Sequence, residues 1–537
     1  LREFEDIDIN QILTMKKSRD ISLDLCLIAI TLITRIPFVS KYLWDWDSVL
    51  LVKALEKFYI PAHSPHPPGY IFTVWAGEFF NVFLNGNNSY IAFSILCTAL
   101  TAILIRRIAR RFLDKDISFW VGIFWLTAPL VWFWGEVASS YMTAPVFVAA
   151  LVFSAMKLDE SDKKYIWIAV MGAIVGIASG FRQDLGLFLG VPVLIVIAAN
   201  HRYGLLKLIM FCFLGFIVPF SLWFFISAAN CGGVGEYLSL VNSQFGVSIQ
   251  GGRFQRLMFR IKLGSRRVLV GLLLSFGTIL VLGLINIFIS GNSKNEKEKQ
   301  LYSNLRLISW ALILFPILFY VFVFINKMAY MLLVFPPAML LFFKWIEAKY
   351  DSRRLLISLI LAFSILNGIA FLAMPPRHYS RYFYKPADFA QIYDRTVGCT
   401  NLKSISDFEK KMDFITGPIG GKNSPDRTFI VLPYPMGYFT LRHAQYYMDN
   451  YPIICFYHPG YHLYYGFKKL DDRETQTVGI PNKYDRLLII GGAVEPDSIQ
   501  DGRIITAERV TDVDLVTVEI EKRIRFAGYE FVRVKQD

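Results

Sequence analysis

Two acids alternate with two tryptophans at Trp44-Asp45-Trp46-Asp47, directly after the first long apolar run. A carboxylate against a low-dielectric wall has a raised pKa unless it is paired, which suits a general base. A structural reading stands beside this one. Asp47 precedes an apparent helix at Ser48–Phe58, and Asp is a favoured N-cap. The next polar stretch is His63-Ser64-Pro65-His66-Pro67-Pro68-Gly69-Tyr70. Proline is tolerated in the first helical turn but cannot extend a preceding helix. Pro67-Pro68 is therefore expected to open a helix with His66 at its mouth. His63 and His66 could share a divalent metal ion with an acid such as Glu136.

Further along, Glu136 stands alone in Trp134–Tyr141, between two apolar runs. It reads either as a functional group or as a carboxylate that snorkels to water. Arg182 and Asp184 put a cation and an anion two residues apart, and the two could simply pair. Arg253, Arg256, Arg260, Lys262, Arg266 and Arg267 form a basic stretch, and Lys327 lies three residues before Tyr330. Arginine gives bidentate, charge-assisted contacts to phosphate. Phospholipid headgroups and a lipid-linked phosphate both answer that description.

The elements that hold these residues are set by composition. Of 537 residues, 54% are apolar and only 18% charged, against about 25% charged in a soluble domain. Mean hydropathy is +0.42. Those values argue against a single water-soluble globule and against disorder. The formal charge of +13 fits basic cytoplasmic loops better than nucleic-acid binding. Six scattered cysteines with no CxxC pair indicate neither a zinc framework nor a disulfide scaffold.

A spanning helix needs about 20 mainly apolar residues. Eleven runs qualify: 22–39, 89–107, 117–134, 141–157, 165–180, 184–200, 205–228, 266–290, 306–325, 329–346 and 354–374. Residues 1–21 are polar, and no small-residue cleavage site follows the first run, so it reads as a retained span. With the N-terminus cytoplasmic, every inside loop carries at least two cations, including the Arg106–Lys115 cluster. That bookkeeping requires residues 68–84 to lie along the outer interface as an amphipathic or re-entrant helix. The expectation is thus a multi-pass plasma-membrane protein with a cytoplasmic segment 1–21 and a transmembrane domain 22–374. Its first external loop is 40–88 and its fourth is 229–265. Residues 375–537 would form a small extracytoplasmic α/β domain. Short apolar runs there, at Thr428–Leu432, Ile453–Phe456, Arg486–Gly491, Leu515–Ile520 and Tyr529–Val534, are separated by turn-formers.

This order of features resembles the GT-C membrane glycosyltransferases, in particular the protein O-mannosyltransferase and aminoarabinose transferase branch. Asp47-Ser48 takes the place of that branch's Asp-Glu pair, and Asp45 is the remaining candidate for a second carboxylate. His66-Pro67-Pro68-Gly69 corresponds to its His-Pro-Pro-Leu. Trp134–Tyr141 corresponds to its second-loop segment, and Lys327–Pro337 to its basic-then-Tyr segment.

The resemblance covers roughly residues 20–375. It implies transfer of a sugar from a polyprenyl-phosphate donor to a protein, lipid or glycan acceptor on the external face. It implies Asp47 as general base, with Asp45 as its alternative. Arg182, Arg253, Arg256, Lys327 and Tyr330 would hold the carrier phosphate. His66, Glu136 and Tyr141 would line the sugar or acceptor pocket. The resemblance assigns no cofactor, with a divalent ion as the one candidate. On this reading the acidic segment and the arginines near residue 255 share one pocket. A transporter or flippase and a non-catalytic scaffold are the competing classes, but the chain shows no repeated halves.

Overall fold

The computed structural model describes residues 9–249, 254–276, 302–323, 327–349, 352–373, 401–417, 423–433, 439–455, 463–465, 468–470, 477–492, 494–526 and 529–534. These fall into two compact units. One comprises residues up to Val39 and those from Leu51 to Ala373. The other joins Ser40–Leu50 to the residues from Lys403 onward.

The first unit is helical. Its helices are α1 (Ile9–Arg35), α2 (Trp46–Glu56, which begins in the other unit), α3 (Ile71–Asn81), α4 (Gly86–Ala109), α5 (Lys115–Thr127), α6 (Pro129–Trp134) and α7 (Thr143–Glu160). They continue with α8 (Lys164–Phe181), α9 (Gln183–Ala199), α10 (Leu205–Asn230), α11 (Val234–Ile249), α12 (Phe254–Phe276), α13 (Ser303–Phe322), α14 (Met331–Lys349) and α15 (Arg353–Ala373).

Seven segments among the described residues are long and apolar enough to cross a membrane: Asp20–Phe38, Gly86–Ala109, Lys164–Phe181, Leu205–Asn230, Ser303–Phe322, Met328–Glu347 and Arg353–Ala373. Outward faces such as Leu206, Phe213, Val218 and Phe225 of α10 are exposed. A contiguous apolar surface of that kind is a lipid-facing one. The other four expected runs differ in detail. Run 117–134 breaks at Ala128-Pro129 into α5 and α6. Run 141–157 continues into a charged end with Lys157, Asp159 and Glu160. Run 184–200 forms the 17-residue α9. Residues 277–290 lie outside the described residues.

Helix α3 has 11 residues. At 1.5 Å per residue that is about 16 Å, roughly half the hydrocarbon core, so it cannot cross alone. It starts at Ile71 rather than at Pro67-Pro68. Gly69 and Tyr70 have φ of 112° and 47°, left-handed values that a right-handed helix cannot include.

Charge anchors the helix ends. Arg106 and Arg107, in the last turn of α4, pair with Asp24 of α1, each with a closest approach under 3 Å. Cations there also complement the helix dipole. Asp159 at the end of α7 accepts from the backbone N–H groups of Asn304 and Leu305, satisfying donors that open α13. Helices α8 and α10 touch backbone to backbone. A Cβ at Gly172 would run into the Cys212 carbonyl, and one at Gly215 into that of Ala169. Small residues permit such an approach inside a bilayer.

The second unit is α/β. Its strands are β1 (Thr428–Leu432), β2 (Ile453–Cys455), β3 (Leu463–Tyr465), β4 (Lys468–Leu470), β5 (Thr477–Pro481), β6 (Arg486–Gly491), β7 (Arg503–Val510), β8 (Val513–Glu519), β9 (Arg523–Phe526) and β10 (Tyr529–Val534). The larger sheet has the order β4-β3-β2-β1-β6-β8-β7, and the smaller has the order β5-β10-β9. Strand β1 pairs in parallel with both β2 and β6. A parallel pair needs a crossover, and helix α17 (Leu441–Tyr447) lies in the one between β1 and β2.

Alternation along β1 fills two cores. Ile430 and Leu432 pack with Phe408, Met412 and Ile415 of helix α16 (Leu402–Thr416). Phe429 and Val431 pack with Val516, Ile524 and Phe531. The expected strands lie at the expected places, within a residue or two. The sequence places residues 40–50 in the first external loop of the transmembrane domain, whereas the structure groups them with the C-terminal unit. Here Tyr42 and Trp44 pack on the α16 core cluster.

Candidate functional site

The first unit gathers cations and phenols from three connections. Helix α8 ends at Phe181, and Arg182 takes an extended conformation (φ −150°) before α9 starts. That break turns the Arg182 side chain into a buried position, where it is 5% exposed. Its Nε and Nη2 donate to the two oxygens of Asp184 at 3.1 and 2.7 Å, which fixes the plane of the fork. No other hydrogen bond to this guanidinium is present among the described residues. The guanidinium carbon lies 4.5 Å from the centroid of the Tyr141 ring and 5.1 Å from that of Tyr330. Buried Lys327 brings its Nζ within 5.4 Å of the same Tyr141 ring.

Aromatic neighbours hold these phenols in place. Tyr141 meets Trp134 edge-on at 4.8 Å and Tyr330 at 5.7 Å. The Tyr320 hydroxyl donates to the Tyr330 carbonyl at 3.3 Å. Sequence reasoning singled out Arg182, Lys327, Tyr141 and Tyr330, and the fold brings these four together. It missed Tyr320, which stands inside the apolar run 306–325.

The loop that carries His66 reaches this turn through its backbone. Its Nε2 is 3.1 Å from the Tyr70 hydroxyl. The Pro68 carbonyl accepts from Tyr237 Oη at 3.0 Å and from Gln183 Nε2 at 3.4 Å. Gln183 is the residue between Arg182 and Asp184, so the His66–Tyr70 loop is tied to the Arg182 turn.

Glu136 is fully buried, so it does not snorkel to water. Its Oε1 accepts from Trp132 Nε1 at 2.6 Å, while Oε2 has no hydrogen-bond partner among the described residues. Burial pushes this carboxyl well above the usual carboxylate range, opposed by the charge of Arg35 and by the Trp132 bond. Arg35, also fully buried, lies over the Trp132 ring at 4.9 Å and donates to the Leu126 carbonyl. Arg35 was overlooked at the sequence level. A cation inside an apolar run was the available signal.

The acidic segment belongs to the other unit. Helix α2 starts at Trp46, two residues earlier than expected, and Asp45 caps it. Asp45 Oδ1 accepts from the N–H groups of Asp47 and Ser48 at 2.8 and 3.2 Å. The capping role therefore falls on Asp45 rather than Asp47. Asp47 stands half-buried in the first turn of the helix.

His63, His66 and Glu136 do not form a ligand set. Among the described residues no three His, Cys, Asp or Glu side chains gather closely enough to hold a metal ion. Arg253 lies outside the described residues, and Arg256 is described only as part of α12. Cys26, Cys97, Cys212 and Cys231 are free thiols.

Comparison with known proteins follows the same outline. Residues 65–225 match the family described as dolichyl-phosphate-mannose-protein mannosyltransferase. The structure superimposes on ArnT from Cupriavidus metallidurans bound to undecaprenyl phosphate, with a TM-score of 0.52 at 11% identity, covering 94% of this chain and 98% of that one. Against the apo state of the same protein the TM-score is 0.53 at 12% identity, with the same coverage. No curated protein sequence matches the chain. In its transmembrane helices and its strand-containing C-terminal unit, the chain has the GT-C fold of membrane glycosyltransferases.

Proposed function

We propose that the protein moves a sugar from a polyprenyl-phosphate donor to an acceptor hydroxyl of a protein, lipid or glycan on the external face of the plasma membrane. The observation that carries this reading is the buried Arg182, oriented by Asp184 and flanked by Tyr141, Tyr330 and Lys327. Two cations converging on one phenol suit the phosphate of a departing carrier. The family match concerns a dolichyl-phosphate-mannose enzyme, and the superimposed ArnT holds undecaprenyl phosphate. Both agree with a lipid-phosphate ligand.

In this mechanism the acceptor oxygen attacks the anomeric carbon as the bond to the carrier phosphate breaks. Negative charge grows on the phosphate, and Arg182 and Lys327 stabilise it where it develops. The Tyr141 and Tyr330 hydroxyls can donate to phosphate oxygens. Asp47 accepts the acceptor's proton as general base. Buried Glu136 and His66 line the sugar pocket, with a protonated Glu136 able to donate a hydrogen bond to a sugar oxygen. The N-terminus and the Arg106–Lys115 cluster face the cytoplasm, and the C-terminal unit faces outward.

The test is glycan transfer in membranes supplied with polyprenyl-phosphate sugars. Asp47→Asn and Arg182→Ala are each expected to abolish product at unchanged protein level. Full transfer by either variant would reject the role given to that residue. Movement of the lipid-linked sugar without covalent product would replace the enzyme reading with a transporter.

A further inference from the structure

The backbone of Leu43, two residues before the cap of α2, is held at both its polar groups by one short helix of the C-terminal unit. Its N–H donates to the Tyr447 hydroxyl at 2.9 Å. Its carbonyl accepts from His443 Nε2 at 3.1 Å. The tautomer follows from the other ring nitrogen. Thr440 N–H donates to His443 Nδ1 at 3.2 Å as part of the capping box of α17, so the proton sits on Nε2.

His443 is fully buried. Lys41 Nζ and Tyr42 Oη both reach the Asp413 carboxylate at 2.6 Å, and Trp44 meets Phe408 edge-on at 5.0 Å. Four successive residues are thus fastened to α16 and α17, and Asp45 begins α2 at the next position. An isolated loop between a span and a helix needs none of these contacts.

We infer that the C-terminal unit is a positioning element for the acidic segment, with His443 and Tyr447 as the positioning residues that set where Asp45 and Asp47 stand. The inference rests on the reading of Asp47 as general base. It assigns the unit a task within the transfer reaction. The chain between Leu43 and Asp47 is too short to absorb slack, since Asp45 is spent on the cap. Loosening Leu43 therefore loosens the first turn of α2.

The experiment uses the full-length protein in lipid nanodiscs and in cells deleted for the gene. Tyr447→Phe removes one oxygen and leaves the ring. In hydrogen–deuterium exchange, peptides covering residues 40–50 should exchange at least tenfold faster in this variant, while peptides of β1 and β6 stay unchanged. The glycan lost on gene deletion, measured by mass spectrometry, should return to no more than a tenth of the wild-type level at equal protein abundance. His443→Gln is the conservative control. Its amide oxygen can accept from Thr440 and its amide nitrogen can donate to Leu43, so it should keep both readouts near wild type.

Unchanged exchange at residues 40–50 in Tyr447→Phe would overturn the grip. Faster exchange with full glycan would overturn the positioning role. Asp47→Asn, run beside these, separates the two readings. Full glycan from that variant rejects Asp47 as base, whereas the exchange result judges the grip independently.

Discussion

Arg182 lies with its guanidinium carbon 4.5 Å from the centre of the Tyr141 ring, and its fork is spent on Asp184. A flat cation can stack on a phenol and clasp a carboxylate together, and a lysine cannot do both. Arg182→Lys should therefore raise KM for a polyprenyl-phosphate sugar by about 10- to 100-fold, matching a lost charge-assisted hydrogen bond of ~1.5–3 kcal/mol. Steady-state kinetics in nanodiscs reads this directly, and an unchanged KM removes Arg182 from donor binding.

The two acids of the tryptophan-flanked motif should separate under substitution. Asn caps a helix about as well as Asp, so Asp45→Asn should keep most of the transfer activity. Asp45→Ala should lose about 1 kcal/mol of cap stability and slow transfer moderately. Asp47→Asn should abolish transfer. A reversed order, with Asp45→Asn inactive and Asp47→Asn active, would pass the base role to Asp45.

Glu136 gives a pH signature. Burial raises its folded pKa above the ordinary 4.5. A carboxyl shifted that way contributes stability that is fully present below about pH 4.5 and is lost as pH rises through the folded value. Glutamine is neutral at every pH. Glu136→Gln should therefore match wild type in thermal stability near pH 4.5 and exceed it at pH 8. Parallel melting curves across that range would show that the carboxyl is ionised at no cost.

His443 shifts the opposite way. Burial lowers it to about 4, while its bond to the Leu43 carbonyl pulls upward. Its contribution is present above about pH 6.5 and is lost as pH falls through 4, with a full size of about 3 kcal/mol at 1.36 kcal/mol per unit. The C-terminal unit should therefore soften on acidification, seen as faster amide exchange in β1 and β6, and His443→Gln should flatten that response. Identical acid profiles for the two proteins would contradict the burial of a neutral imidazole.

Gly172→Val tests the contact between α8 and α10. The new Cβ would meet the Cys212 carbonyl, which is backbone and cannot rotate away. Separating the two helices should cost about 1–3 kcal/mol or more. The expected result is lower yield and a lower Tm in detergent, whereas Gly190→Ala, where a Cβ finds only ordinary contact, should be silent.

What the sequence made legible divides along physical lines. The strands at Thr428–Leu432 and Arg486–Gly491 are short apolar runs between turn-formers, and both are buried along most of their length. The Arg182, Tyr141, Lys327 and Tyr330 group was legible as types, because charges and phenols at the ends of apolar runs stand out. Their meeting around one ring was not, since it depends on how three connections pack. The start of α3 was misread because a left-handed Tyr70 leaves no mark in composition. The cap was assigned to the wrong aspartate because nothing in Trp-Asp-Trp-Asp says which residue closes the first turn. The hold on Leu43 was invisible for a different reason. It engages backbone atoms, and its partner lies 400 positions away.

The glycine contact between α8 and α10 has a consequence for traffic. Where two main chains touch at Gly172 and again at Gly215, there is no width for an acyl tail. That seam is closed to hydrocarbon along its middle. On the proposed reading, the isoprenoid held at the Arg182 turn enters past some other pair of helices.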